Sequence, residues 1–251
     1  MKINILGSGT CVPSLKRHSC SILIRDENIH MLIDAGPSTM EQLLKLGVKI
    51  NDINIILLSH FHLDHCAEIP PFLFATKYSG LIRNKKLKLI GGKGIKKMYD
   101  TLNKAYDDAL VFPENEFEIV ELNEKGKLDL KNEDICLYYS KANHRPESLS
   151  YKIVDKTGYC LIYSGDTDYC DNLIELSKNA DLLICESAFP DDKKTKGHLT
   201  PSHAGKIASK ANVKKLVLTH FYPECDNIDI KAQAKKHFNK TIIVAKDLML
   251  L

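Results

Sequence analysis

The chain lacks any run of 18 apolar residues, so no transmembrane helix is expected from it. Its start, MKINILGSG, has neither the apolar stretch nor the small-residue cleavage site of a secretory signal. No Cys-x-x-Cys pair occurs among the eight cysteines. Several of them stand inside apolar runs, such as Cys160 in GYCLIYSG and Cys185 in ADLLICES, and read as buried strand thiols. That arrangement speaks against the disulfide framework of a small secreted protein and for reduced thiols in a cytoplasmic one. An excess of charge of one sign is also lacking. The formal net charge is only +3, too little to imply nucleic-acid binding by itself. There is no Pro/Ser-rich linker, no repeat and no low-complexity tract.

What is present is ordinary globular composition: 44% apolar and 27% charged residues, which excludes disorder, collagen and coiled coil. A compact chain of this length buries roughly 70–75% of its unfolded surface and needs no metal merely to fold. Strands are expected at Lys2–Leu6, Ser21–Arg25 and His30–Ile33, the last two joined around Asp26-Glu27-Asn28. Pro37 opens a helix with Met40, Leu43, Leu44 and Leu46 on its apolar face. Ile53–Leu58, an apolar run without alternation, reads as a strand covered on both faces. A strand at Leu87–Ile90 and a helix from Ile95 to Leu110 follow, then strands at Phe117–Leu122, Ile135–Ser140, Ser150–Val154 and Tyr159–Ser164. Helix and strand alternate to the end: helices near Asp171–Lys178, Pro201–Ala211 and Ile230–Phe238, strands at Asp181–Cys185, Lys215–Thr219 and Thr241–Val244. Mostly β and then α/β, with no linker, suggests one domain over residues 1–251 built from two packed β-rich halves.

The informative string is Ser59-His60-Phe61-His62-Leu63-Asp64-His65, directly after a buried strand. Three imidazoles and a carboxylate in six residues are costly in a core and unnecessary on a surface. Imidazole nitrogen and carboxylate oxygen suit a borderline ion such as zinc. His60 and His62, two apart in an extended segment, point the same way, while Asp64 and His65 on the following turn can serve a neighbouring ion.

On this string the chain resembles the metallo-β-lactamase-fold hydrolases, from its first strand to its last helix. The resemblance implies an α/β (α+β) fold, a four-layer αβ/βα sandwich with a dinuclear metal site at one edge of two sheets. It also implies three further ligands in order: His144 in SKANHRPES, Asp166 in YSGDTD and His220 in LVLTHFYP. His60, His62 and His144 would hold one divalent ion, Asp64, His65 and His220 the other, and Asp166 would bridge them. Ligand type points to zinc and also admits manganese or iron.

Other segments resemble the ribonuclease Z branch. GSGTCVPSLKRHS matches its loop at Gly9, Thr10, Pro13 and Arg17, with His18 where that loop has Asn. SGDT at 164–167 has its spelling, ADLLICESAF keeps Glu186 but has Cys185 in place of His, and GHLT brings in His198. One departure stands out. Only 22 positions separate His144 from Asp166, room for two strands and a turn and not for the flexible tRNA-gripping arm of that branch. The basic stretch Arg83–Lys97 has no interleaved aromatics for base stacking and reads as a solvated face.

The expectation is therefore a dinuclear metal hydrolase of phosphodiesters, ribonuclease Z-like but arm-less, acting on a small molecule or short RNA. Two ions would lower the pKa of a shared water and neutralise the attacked group. Asp64 would orient that water or take its proton, and His198 would protonate the leaving oxygen. Glu186 would orient a neighbour, and Arg17, Thr200 and Lys193, Lys194 and Lys196 would contact phosphate. Association as a homodimer and no contact with membrane complete the reading. The alternative is hydrolysis of a carbonyl bond (thioester, lactone or β-lactam), because the same fold and metals serve both chemistries.

Overall fold

A computed structural model of the chain describes residues 1–251 apart from 27, 28, 81, 82, 84 and 131–133. The expected turn at Glu27-Asn28 and position 84 of the basic stretch lie outside the described residues. The first half contains β1 (Lys2–Gly7), β2 (Ser21–Arg25), β3 (His30–Ile33), α1 (Thr39–Lys45), β4 (Ile55–Leu57), α2 (Leu63–Cys66), α3 (Ile69–Tyr78), β5 (Leu87–Gly91), α4 (Ile95–Ala105) and β6 (Phe117–Glu121). The second contains β7 (Lys125–Leu130), β8 (Ile135–Lys141), β9 (Leu149–Asp155), β10 (Cys160–Tyr163), α5 (Asp171–Leu176), β11 (Leu182–Glu186), α6 (Pro201–Lys210), β12 (Lys215–Thr219), α7 (Ile230–Lys235), β13 (Thr241–Val244) and β14 (Met249–Leu250).

Two seven-stranded sheets result, ordered β14-β1-β2-β3-β4-β5-β6 and β13-β12-β11-β10-β9-β8-β7. In each, four consecutive neighbours run parallel: β3 to β6 in one, β10 to β13 in the other. Parallel strands end on the same side, so their C-terminal loops collect along one edge.

Residue alternation separates the layers. Ile22, Ile24, Met31, Ile33, Ile55 and Leu57 face the second sheet and join Leu137, Tyr151, Ile153 and Leu161 in a central core. Leu23, Leu32, Ile56 and Leu89 point outward, beneath Leu43, Phe72, Leu73 and Ile95 of α1, α3 and α4. Strand β4 is buried on both faces, which explains its unbroken apolar run. This is the expected four-layer sandwich, with helices in both halves. Among the described residues no helix is long and apolar enough to cross a membrane.

Several local expectations need correction. Leu44 is 66% exposed, because the seven-residue α1 turns Leu43 and Gln42 inward and the Gln42 amide donates to Leu6 O at 3.1 Å. Helix α4 stops at Ala105 instead of Leu110. Asp107 and Asp108 turn left-handed, and the Asn103 side chain accepts from Leu110 N at 3.1 Å, which closes the end. Strand β7 carries few apolar residues yet pairs with β8 over six positions, and β14 holds only two residues against β1. Neither leaves a periodic signal to read.

Candidate metal centre

The functional side chains leave from that shared edge. Asp34 follows β3, Ser59–His65 follows β4, His144 follows β8, Asp166 follows β10, Glu186 ends β11 and His220 follows β12. Two buried tyrosines tie the two sheets together under the site. Tyr151 donates to Leu58 O at 2.6 Å and Tyr163 donates to Asp34 Oδ2 at 2.6 Å. Burial pushes both phenols well above their ordinary pKa, so they remain neutral donors.

All seven expected ligands converge. His60, His62, His144 and Asp166 form one group, and Asp64, His65 and His220 another, the ligand atoms of each lying within 4.8 Å of one another. Asp166 faces both. Its Oδ2 stands 3.6 Å from His60 Nε2 and 3.9 Å from His144 Nε2, while Oδ1 is 3.3 Å from both His65 Nε2 and His220 Nε2. Asp64 Oδ2 lies 3.5 Å from His220 Nε2 and 3.8 Å from His65 Nε2. Two imidazole pairs, His62 with His144 and His65 with His220, approach to 3.1 Å between ring nitrogens. That is close to the roughly 3.3 Å expected of two nitrogens on one tetrahedral zinc with ordinary bond lengths.

The rings are aimed by partners behind them. His65 Nδ1 donates to Asp34 Oδ2 at 2.7 Å and His144 Nδ1 to Gly197 O at 2.9 Å. His60 Nδ1 lies 3.0 Å from Ser59 Oγ, whose hydrogen goes to Asp34, so the ring proton sits on Nδ1 and Nε2 offers a lone pair to the centre. His60 Nε2 and Asp166 Oδ1 are buried without a hydrogen-bond partner. Unpaired buried acceptors are costly, and a cation relieves both. Burial first, then neighbouring imidazoles, lowers the pKa of His60, and burial likewise lowers those of His62 and His144. Neutral rings are the form that ligates. For Asp64 burial opposes ionisation, but His220 and His65 outweigh it and hold the carboxyl below its usual range. The residues present fit a pair of divalent cations.

His198 stands beside these groups. Its Nδ1 is 3.1 Å from Glu186 Oε1 and 3.8 Å from Asp166 Oδ2. Burial disfavours protonation of His198, but the Glu186 carboxylate prevails and lifts the pKa to about 9. Glu186 itself is held by Thr167 N at 2.8 Å, Leu199 N at 3.1 Å and Ala188 N at 3.3 Å. It thus orients His198 and the loop that carries it.

The expected phosphate contacts are placed differently. Arg17 donates to Ser8 Oγ, Ala245 O and Asp226 Oδ1 at 3.0–3.1 Å and lies over the Phe221 ring, so its guanidinium is engaged in joining loops. Thr200, 2% exposed, caps α6 through His203 N. Lys194 pairs with Asp168 at 2.9 Å. Asp34, by contrast, lies outside the ligand pattern that the sequence presents. Fully buried, it accepts from Ser59 N, Ser59 Oγ, His65 and Tyr163. Its signal was available: a carboxylate ending an otherwise apolar strand, in HMLIDAG. Arg145 likewise has no motif signal in the sequence. It is exposed, next to His144, and its charge adds to burial in lowering the His62 pKa.

Comparison with known proteins gives the same picture. The chain is 24% identical to a protein named Ribonuclease Z from Methanosarcina acetivorans, over 99% of this chain and 97% of that one. The structure is similar to that of the metallo-beta-lactamase fold protein YhfI from Bacillus subtilis, with a TM-score of 0.85, 24% identity, and coverage of 100% of this chain and 98% of the other. It is also similar to the short form of human tRNase Z, with a TM-score of 0.82, 24% identity and the same coverage. The family model described as "Beta-lactamase superfamily domain" matches residues 30–221, a span that holds all seven converging side chains, and the chain belongs to that superfamily.

Proposed function

We propose that this protein is a dinuclear metal-dependent phosphodiesterase of ribonuclease Z type. The observation that carries the reading is Asp166, whose two oxygens face two separate sets of ligand atoms, with His198 beside them, close enough to Asp166 and His220 to form a further possible ligand group but with Nδ1 hydrogen-bonded to Glu186. His60, His62, His144 and Asp166 Oδ2 would hold one cation, and Asp64, His65, His220 and Asp166 Oδ1 the other. Bound there, two cations supply an acidified water and positive charge opposite the phosphoryl oxygens. Asp64 orients the attacking water or accepts its proton. His198 protonates the leaving oxygen from Nε2, since Nδ1 is committed to Glu186. An alkoxide leaves poorly without that proton, which His198 is placed to supply. The name Ribonuclease Z of a full-length relative agrees with this chemistry.

Large structured RNA is not the expected substrate. Between His144 and Asp166 the chain forms only β9, a tight turn and β10. The alignment to the Methanosarcina relative runs over 302 positions against 251 residues here, so at least 51 positions have no counterpart in this chain. Zinc is the cation that the imidazole-rich set favours, with manganese and iron compatible. The reading takes residues 1–251 as one domain, supported by a central core that both sheets share. A cytoplasmic location accords with eight free thiols. A homodimer could cover exposed Phe74, Tyr78, Tyr106 and Val111.

The test is a panel on metal-defined protein: bis-p-nitrophenyl phosphate, a dinucleotide, cyclic nucleotides, a thioester and a β-lactam. Turnover of phosphodiesters, about two ions per chain, and loss of both ions in Asp166→Ala are expected. Preferred turnover of the thioester or β-lactam, or one ion per chain unaffected by Asp166→Ala, overturns the reading.

A further inference from the structure

Next to His198 two aromatic side chains stand where the apolar cores give no reason for them. Phe189 and Tyr222 stack with ring centroids 4.4 Å apart and planes 17° from parallel. Both are partly exposed, and neither packs into either hydrophobic core. The pair borders the centre: Phe189 is 6.2 Å from the His198 ring, and Tyr222 is 6.4 Å from His198 and 6.3 Å from His220. They come from different loops, after β11 and after β12, held together because Tyr222 N donates to Ala188 O at 3.1 Å. The Tyr222 hydroxyl is further steadied by Cys11 Sγ at 3.6 Å, which fixes the ring from the side of the N-terminal loop. Aromatic side chains make up only 7% of the chain, and here two present partly open rings beside the proposed proton donor.

We propose that Phe189 and Tyr222 form a stacking wall for a planar ring on the leaving-group side of the substrate, so that the preferred phosphodiester carries a nucleobase there. This rests on the phosphodiesterase reading and names the substrate class within it. The side follows from His198: the oxygen that it protonates belongs to the leaving group, and the wall borders the same imidazole. Stacking is tolerant of base identity because every base has a π face, so little preference among the four bases is expected. It also needs no long basic track, in keeping with the net charge of +3.

The experiment compares the metal-loaded wild type with Phe189→Leu, Tyr222→Leu and Tyr222→Phe on a dinucleotide and on its analogue abasic at the leaving sugar. Each Leu variant should raise KM for the dinucleotide about 5- to 100-fold, the range of one lost stacking contact. Tyr222→Phe, which keeps the ring, should stay close to wild type. Removing base and ring together should cost little more than either loss alone, as for two partners of one contact. Equal wild-type KM for the dinucleotide and the abasic analogue would overturn the wall while leaving the phosphodiesterase reading intact. A second readout needs no turnover: a dinucleotide phosphorothioate with 2-aminopurine placed on each side in turn. Quenching on binding from the leaving side, lost in the Leu variants, is expected. Unchanged fluorescence on both sides, or quenching that survives in both Leu variants, would overturn the proposal even if no substrate is cleaved.

Discussion

At the scale of single residues, the centre shows how partners behind the ligands set their chemistry. Asp34 makes no contact with solvent, yet it fixes His65 directly and His60 through Ser59. Its removal should therefore weaken both metal sites. His198 offers a sharper test. If it is the proton donor, His198→Ala should keep its metal while kcat on alkyl phosphodiesters falls about 10²–10⁴-fold. The loss should shrink for nitrophenol, which departs without a proton. An equal loss on both leaving groups would assign His198 to binding or structure. The pH profile adds a sign. A donor works only when protonated, so activity should fall as pH rises through the His198 pKa. That pKa lies at about 9 beside Glu186, and bound cations pull it lower. Glu186→Gln removes the carboxylate that raises it and leaves the burial that lowers it, so the alkaline limb should move to lower pH. A limb that stays in place would disconnect Glu186 from the proton donor.

At the scale of elements, the site depends on how tightly strand ends pass one another. Gly165, between β10 and Asp166, has φ +58°, and a Cβ there would meet Ser59 Cβ at 2.9 Å. Ser59 is the residue that relays Asp34 to His60. Gly165→Ala thus costs about 1–2 kcal/mol from its backbone conformation alone, with the contact in addition. The expected melting temperature is about 2–8 °C lower for a chain of this size. Metal affinity should fall with it, because Asp166 and His60 both shift; calorimetric titration with zinc checks this. Unchanged zinc affinity would mean that the loop carrying Asp166 adjusts independently of Ser59.

At the scale of the molecule, the centre lies at an edge while stability lies in the apolar layers. Removing metal with a chelator should abolish activity but leave a folded protein, because the central core contains no ligand and both sheets are paired throughout. Cooperative thermal unfolding at a somewhat lower temperature is expected. Collapse of the far-ultraviolet circular dichroism on chelation would show that the ions hold the fold. Binding of precursor tRNA depends on many phosphate contacts and the counterions they release. A cleft with Arg145 beside His144 and three lysines, Lys193, Lys194 and Lys196, in the loop before His198 supplies few. At physiological salt a dinucleotide should be cleaved faster than precursor tRNA, and tRNA binding should weaken steeply as salt rises. Efficient cleavage at the tRNA 3′ boundary would contradict the arm-less assignment.

Sequence and tertiary structure divided the work along physical lines. The string His60–His65 was legible because such a cluster serves neither a core nor an ordinary surface, and the buried strands were legible because burial on one or both faces leaves a period. Resemblance to a known family carried His144, Asp166 and His220, which lie in three separate loops that local pattern alone does not connect. Strands β7 and β14 are not legible in the sequence because pairing with a neighbour, rather than apolar periodicity, makes them strands. The roles of Arg17 and Thr200 were likewise beyond reach of the sequence. A guanidinium or hydroxyl near a site can meet a phosphate or its own scaffold, and only the positions of Ser8, Asp226, Ala245 and His203 decide which. The sequence by itself determined the chemistry of the His60–His65 string and the succession of strands and helices, because both follow from residue type and spacing, while the four-layer arrangement came with the family resemblance. Which side chains face the centre, and which stand behind it as Asp34 does, was decided only where two parallel sheet edges meet.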